Sequence, residues 1–483
     1  MLQNPPCVES VHVLSRLRTG FYECLTSRRD ALFELTDAVL CADGPVKTLV
    51  GLSLVPEHRR GHGALYDAIN HGRIDVQRLR LALAKMPLPR CVGRLVLAVD
   101  VSAWLRPDAN TSDARSFCHT YGRGKDEHRM IPGWPYSFVA ALEPGRTSWT
   151  AVLDAQRLAP GADVAAVSAA QIRDVIERLI DAGQWTPGEP DILIVLDAGY
   201  DVPRIAFLLE DLPVEVLGRM RSDRVLYRPA LPWTAGTTGR PPKHGGEFAF
   251  GDQTSWGEPD VATLTETTRY GIARASAWDR LHPLLTRRAA WNGFPDELPI
   301  IEGTVIRLKV DRLPNGGEPK PLWLWWSGTN PTPADVDRLW QAFLRRFDLE
   351  HTFRLFKQTL GWTAPKVRDP ASADRWTWIM LVVHTQLRLV RHAADDLRRP
   401  WEKPLPAHKL TPARVRRGFR NLRDNSALPA AAPKPSRPGP GRPSGTPNRQ
   451  RAPHYEVGRV LAGQEKYTRP AHHKKGTKPR RRG

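Results

Sequence analysis

The chain has 483 residues and a mass of 54.2 kDa, more than one ordinary core uses, so two or three structural units are expected. No run approaches 18 apolar residues, which excludes a spanning helix, and the N-terminus lacks the cationic start and apolar block of a secretory signal. Five scattered cysteines without a C-x-x-C pair exclude a disulfide framework and a cysteine zinc site, and favour a reducing cytoplasm. The net charge is +20, and residues 397–483 hold 23 Lys or Arg against 4 Asp or Glu, a balance of +19. A neutral body with a basic tail points to a polyanion, nucleic acid above all, although such a tail also serves solubility.

Residues 1–90 read as helical. RDALFELTDAVLCA and HGRIDVQRLRLALAKM have apolar residues at helical spacing. PEHRRGHGALYDAINHG between them suits a small DNA-binding unit and a helical support for the next region equally. From 91 to 220 the period changes. RLVLAVDVSAWL, SFVAALEPG and SWTAVLDAQRL read as strands, VAAVSAAQIRDVIERLIDA as an amphipathic helix, and DILIVLDAGYD as a second fully apolar strand. A helix, PRIAFLLEDL, and a strand, VEVLGRM, complete an α/β pattern with a mixed sheet. Tyr121 to Phe138, with Arg123, Lys125, His128 and Arg129, reads as a solvated loop that could also line a DNA path.

Residues 221–320 read as a β-rich insertion. Residues 321–396 carry a strand, PLWLWWSG, then a helical stretch over Pro331–Leu360 and a last apolar helix, WTWIMLVVHTQLRLVRHAA. Residues 397–483 are rich in Pro, Arg and Gly, with too few apolar residues to fold alone, so a disordered tail is expected.

Two apolar strands each deliver a carboxylate at the C-terminal end, Asp100 in LVLAVD and Asp197 in ILIVLD. Ligands bind beyond the carboxyl ends of strands in open α/β sheets. One such Asp also suits a turn or helix cap; two on neighbouring strands suggest a shared hard cation, Mg²⁺ or Mn²⁺. Farther on, Phe343, Arg346, Glu350, Arg354 and Lys357 recur at helical spacing, which at about 100° per residue places them on one face. Glu350 would supply a third acid while the cations meet phosphates. The same spacing also suits an exposed face of i,i+4 ion pairs.

Phe343-x2-Arg346-x3-Glu350-x6-Lys357 resembles the Y-x2-R-x3-E-x6-K signature of insertion-sequence transposases of the DDE type, in the broad group of IS4-like and IS701-like elements. Asp100 and Asp197 look like the first two acids of that triad. The resemblance spans roughly residues 90–395 and implies a ribonuclease H-like catalytic core. Phe343 departs from the signature by lacking a tyrosine hydroxyl that could contact phosphate. The implied chemistry is DNA strand cleavage at terminal inverted repeats and transfer into target DNA, by two metal ions about 3.5–4 Å apart. Asp100 would bridge both ions, Asp197 and Glu350 would each hold mainly one, and Arg346 and Lys357 would neutralise phosphate charge. A homodimer on DNA and a bacterial, nucleoid-associated location would follow. Two alternatives are a transposase-derived DNA-binding protein without catalysis and a ribonuclease H-like nuclease that cuts without joining.

Trp256, Trp278 and Trp291 lie in the insertion, where related transposases use an aromatic residue to trap an unstacked base; core packing is the alternative for each. Gly441-Arg442-Pro443 resembles an AT-hook, whose arginine enters the narrow minor groove of A·T-rich DNA.

Overall fold

The computed structural model describes residues 5–121, 128–145, 147–232, 241–314, 316–434, 445, 451–460 and 466–468. The N-terminal layer consists of α1 (Pro5–Cys24), α2 (Arg29–Cys41), α3 (Leu49–Ser53), α4 (His62–His71) and α5 (Val76–Ala84). A short ladder joins β1 (Leu25–Ser27) to β2 (Arg73–Ile74). Every residue of α2 from Ala31 to Cys41 is buried, including Glu34 and Asp37. A helix buried all round is an interior element, so α2 is part of the core rather than a surface helix.

The strands expected between 91 and 220 form as β3 (Val96–Leu105), β4 (Ser116–Tyr121), β5 (His128–Leu142), β6 (Thr150–Arg157), β7 (Ile192–Leu196) and β8 (Val214–Met220). Helix α6 (Val164–Asp181) precedes β7, and α7 (Val202–Leu208) follows it. The central order is β6–β5–β3–β7–β8, with the first two pairings antiparallel and the last two parallel. Helices pack on the faces of this sheet, which gives a ribonuclease H-like arrangement. The loop expected over Tyr121–Phe138 is instead largely strand. Trp134, Tyr136 and Phe138 are buried in alternation on β5, a period-2 signal interrupted in the sequence by Pro132, Gly133 and Pro135. Arg123 and Lys125 lie outside the described residues.

The insertion is β-rich, as its composition predicts. It contains a separate ladder of β9 (Val225–Pro229) with β10 (His244–Ala249), followed by β11 (Val261–Thr267), β12 (Gly271–Leu281) and β13 (Gly303–Val310). The last three continue through β14 (Leu322–Trp326) onto β8, so the main sheet reaches ten strands. Trp323, Trp325 and Trp326 are all buried there.

The helical stretch after β14 is not one helix. It divides into α8 (Pro333–Arg345), α9 (Phe347–Arg354) and a wide π-turn, Leu355–Thr359. Thr332 and Asp335 form a reciprocal cap at the start of α8, with Pro333 at its first position. Helix α10 (Pro370–Leu389), started by Asp369, runs through the core beneath the sheet. Among the described residues no helix is long and apolar enough to cross a membrane.

Residues 397–434, expected to belong to a disordered tail, instead include a packed helix. Helix α11 (Pro412–Arg423) packs Val415 and Phe419 into the main core, and four of its five arginines meet acids from elsewhere. Arg414 pairs with Asp396, Arg417 with Glu402, Arg420 with Glu57 and Arg423 with Asp37. Farther along, Tyr455–Val460 (β15) lies against the loop after β3. Tyr455 N donates to Asn110 O (2.9 Å) and Gly458 N to Arg115 O (3.0 Å). Arg442 lies outside the described residues.

Candidate active site

Strands β3 and β7 pair in parallel through Val99 opposite Leu196, and each next residue is an aspartate. Residues two apart share a face of a strand. Ala98 and Val195 belong to the core beneath the sheet, so Asp100 and Asp197 project toward that layer, which also contains α8, α9 and α10. Asp100 is not the end of its strand, contrary to expectation. Strand β3 leaves β7 at this point but continues to Leu105 against β5, so the carboxylate stands where two strands part.

Arg346 meets both acids. It occupies the junction of α8 and α9, where its N donates to Phe343 O (3.0 Å) and its own carbonyl accepts from Leu349 N (3.0 Å). These tighter i→i−3 bonds interrupt the α-helical period. Arg346 Nη1 donates to Asp100 Oδ2 at 2.8 Å, and Nη2 lies 3.2 Å from Asp197 Oδ2. Asp100 Oδ1 accepts from the Val101 N–H (2.8 Å).

The remaining charges converge on Asp100. Burial pushes its carboxyl up to about 6, opposed by Arg346 and reinforced by Glu350 and Asp197. Burial draws the Lys357 ammonium below its ordinary value, while Glu350 and Asp100 act the other way; the residue nevertheless keeps solvent access. Lys357 lies in the π-turn, closed by Leu360 N donating to Leu355 O (3.0 Å), so the single straight face expected for the signature does not exist. Arg346, Glu350 and Lys357 come together around Asp100 despite two changes of helical period. Phe343 is buried beneath Arg346, whose guanidinium carbon lies 5.8 Å from the ring centroid. Arg354 is exposed.

One polar group escaped the sequence reading. Tyr200, three residues after Asp197, places its hydroxyl beside Asp100, Ser137 and Ser168. Among the described residues the Tyr200, Ser137 and Ser168 hydroxyls are all buried without a partner in hydrogen-bonding geometry. Burial, then the Asp100 charge, raises the Tyr200 phenol well above its usual value. The tyrosine of DAGYD was visible, but nothing local marks it as pointing inward.

Of the three tryptophans, two follow the core-packing alternative. Trp278 and Trp291 are 3% and 7% exposed and belong to the second core, leaving no free face for a base. Trp256 is half-buried. Its Nε1 donates to Ala249 O (2.7 Å) and Arg307 lies 4.9 Å above its ring.

Asp100, Asp197 and Glu350 offer the hard oxygen donors that Mg²⁺ and Mn²⁺ prefer. Among the described residues Asp197 Oδ1 is buried with no hydrogen-bond partner, an orphaned acceptor that a cation would satisfy. Arg346 presently supplies the positive charge between the two aspartates, and among the described residues no group of three His, Cys, Asp or Glu is gathered closely enough to hold a metal ion. The donor chemistry therefore fits a divalent ion, with Arg346 competing for the same oxygens.

No curated protein matches the chain. A family model described as DDE superfamily endonuclease matches residues 20–284, a span that includes Asp100 and Asp197 and stops before Glu350. Because that match covers more than half of the 483 residues, the chain belongs to the DDE superfamily endonuclease family.

Proposed function

We propose that this endonuclease is a DNA transposase of the IS4-like or IS701-like group, cutting at the inverted repeats of an insertion sequence and joining the freed ends to target DNA. The observation that carries the reading is the shared environment of Asp100, Asp197 and Glu350, with Arg346 and Lys357 among them. Three acids with two cations suit phosphoryl transfer, in which charge on nonbridging oxygens must be balanced.

Asp100, Asp197 and Glu350 would hold Mg²⁺ or Mn²⁺, two ions per site. When bound, these ions supply Lewis acidity to the attacking and leaving oxygens of an in-line displacement. Arg346 keeps the two aspartates at the same level before DNA arrives, and then gives up a carboxylate to take a phosphate oxygen, for which its forked donors are equally suited. Lys357, with its ammonium destabilised by burial, gains most from an anionic neighbour. Arg354 on the exposed side extends the phosphate contacts. Phe343 supports Arg346 from below and, lacking the hydroxyl, makes no polar contact to DNA. The Gly441-Arg442-Pro443 segment adds minor-groove affinity.

The purified protein, given pre-cleaved ends bearing the repeats that flank its gene and Mg²⁺, should join them to a target plasmid. Failure to join, with cleavage of an uncut duplex bearing the same repeats, would instead identify a nuclease that only cuts.

A further inference from the structure

Helix α11 turns Arg416, Arg417 and Arg420 toward a cavity of about 340 Å³, whose other walls include Arg399, Asp43 and Thr359. Two of these cations are neutralised where they stand. Arg417 Nη2 donates to Glu402 Oε1 and Arg420 Nε to Glu57 Oε1, each at 2.7 Å. Arg416 differs. It is 5% exposed, and its donors reach only backbone carbonyls, Nε to Val39 O (2.8 Å) and Nη1 to Gly44 O (2.7 Å). Among the described residues its Nη2 has no hydrogen-bond partner and the side chain forms no ion pair. Burial pulls the guanidinium down to about 10.

A buried cation without a carboxylate is costly unless an anion completes it. Two other buried arginines are paired, Arg18 with Asp37 and Arg388 with Glu143, whereas Arg106 and Arg115 donate to backbone carbonyls as Arg416 does. Arg416 differs from these last two in lining a cavity with further arginines. Around Arg416 the lining adds Arg399 and the already paired Arg417 and Arg420 against Asp43, and forked donors of this kind match a tetrahedral oxyanion. The cavity accommodates one phosphate with part of its ester. Thr359 in its wall is the last residue of the π-turn that carries Lys357, so the two sites share one segment of chain.

We propose that this pocket binds a phosphate group and, resting on the DNA-cutting reading above, that the phosphate belongs to the DNA backbone away from the bond being cut. Two measurements on the full chain test it. The first compares thermal stabilisation by sodium phosphate and by sodium chloride at matched ionic strength. The second follows binding of a labelled random-sequence duplex across a salt series. The variants are Arg416→Met, which keeps the stem and removes the charge, and Arg399→Ala, at an exposed residue whose loss spares the core.

Phosphate should stabilise the wild type beyond chloride and lose that effect in both variants. The log–log salt slope of duplex binding should fall by about 0.9, the loss of roughly one phosphate contact. If folded variants keep both the phosphate effect and the slope, the pocket is no phosphate site. Loss of the phosphate effect with unchanged duplex binding assigns the site to free phosphate and overturns its DNA role. A wild type that binds no duplex removes the DNA-cutting reading, while the phosphate comparison still decides the pocket. Should Arg416→Met fail to fold, Arg399→Ala carries both measurements.

Discussion

Arg346 and Asp100 lie 246 residues apart in sequence and meet at 2.8 Å, joining the break between two helices to the point where two strands part. The contact restrains the carboxylate and also occupies it. Arg346→Gln should therefore push the Asp100 carboxyl higher, since Arg346 is the main influence lowering it. Mn²⁺ binding, followed by calorimetry above pH 7, should tighten once the competing guanidinium is gone. DNA cleavage should nevertheless fall by about 10²-fold, the usual loss when a charge-stabilising donor is removed. Unchanged cleavage would show that Arg346 does not contact the reacting phosphate.

Asp100 makes stability depend on pH in a definite direction. Its folded value of about 6 lies above the ordinary 3.8, so the folded state holds the proton more tightly than the unfolded chain. Stability from this group is fully present below the ordinary value and is lost as pH rises through about 6. Asp100→Asn should abolish cleavage yet stabilise the fold above pH 7 by about 2 kcal/mol, with the difference vanishing near pH 4. Urea denaturation at the two pH values measures it.

Tyr200 carries a buried hydroxyl that no partner among the described residues satisfies. Removing such a group relieves a desolvation cost, so Tyr200→Phe should leave stability unchanged or raise it by up to about 1 kcal/mol. A loss above that size in chemical denaturation would mean that the hydroxyl is bonded in solution, through water or to Ser137 or Ser168.

The N-terminal layer and the start of the C-terminal segment are locked together by Asp37. It accepts from Arg18 (2.7 and 2.9 Å) and Arg423 (2.9 Å), while Arg18 also donates to Gln386 and to Ala427 O. Asp37→Ala strands a fully buried arginine and should cost about 3–5 kcal/mol. Limited proteolysis should then release α11 first. Wild-type resistance in the variant would show that the tail helix is held by other contacts.

The strands carrying Asp100 and Asp197 are legible because strands buried on both faces read as unbroken apolar runs. The helix break at Arg346 is not, since no proline or glycine marks it. The break coincides with the contacts of the Arg346 side chain to two carboxylates on distant strands, and long-range pairing leaves no local trace. The same holds for α11, whose arginines look solvent-bound until Glu57 and Asp37 are brought from the N-terminal layer. The insertion is recognisably β, yet its junction with the main sheet rests on β14 pairing with β8, which neither strand announces. Trp278 and Trp291 show the limit of composition, since an aromatic residue suits a core as well as a base.

The most direct test is Mg²⁺-dependent strand cleavage of a duplex bearing the repeats that bracket the gene, comparing wild type with Asp100→Asn, Asp197→Asn and Glu350→Gln. Cleavage by the wild type, lost on chelation and in all three folded variants, is the expected result. Full cleavage by any one variant would contradict the three-acid site, and Glu350→Gln is the most informative because the family match ends before that residue.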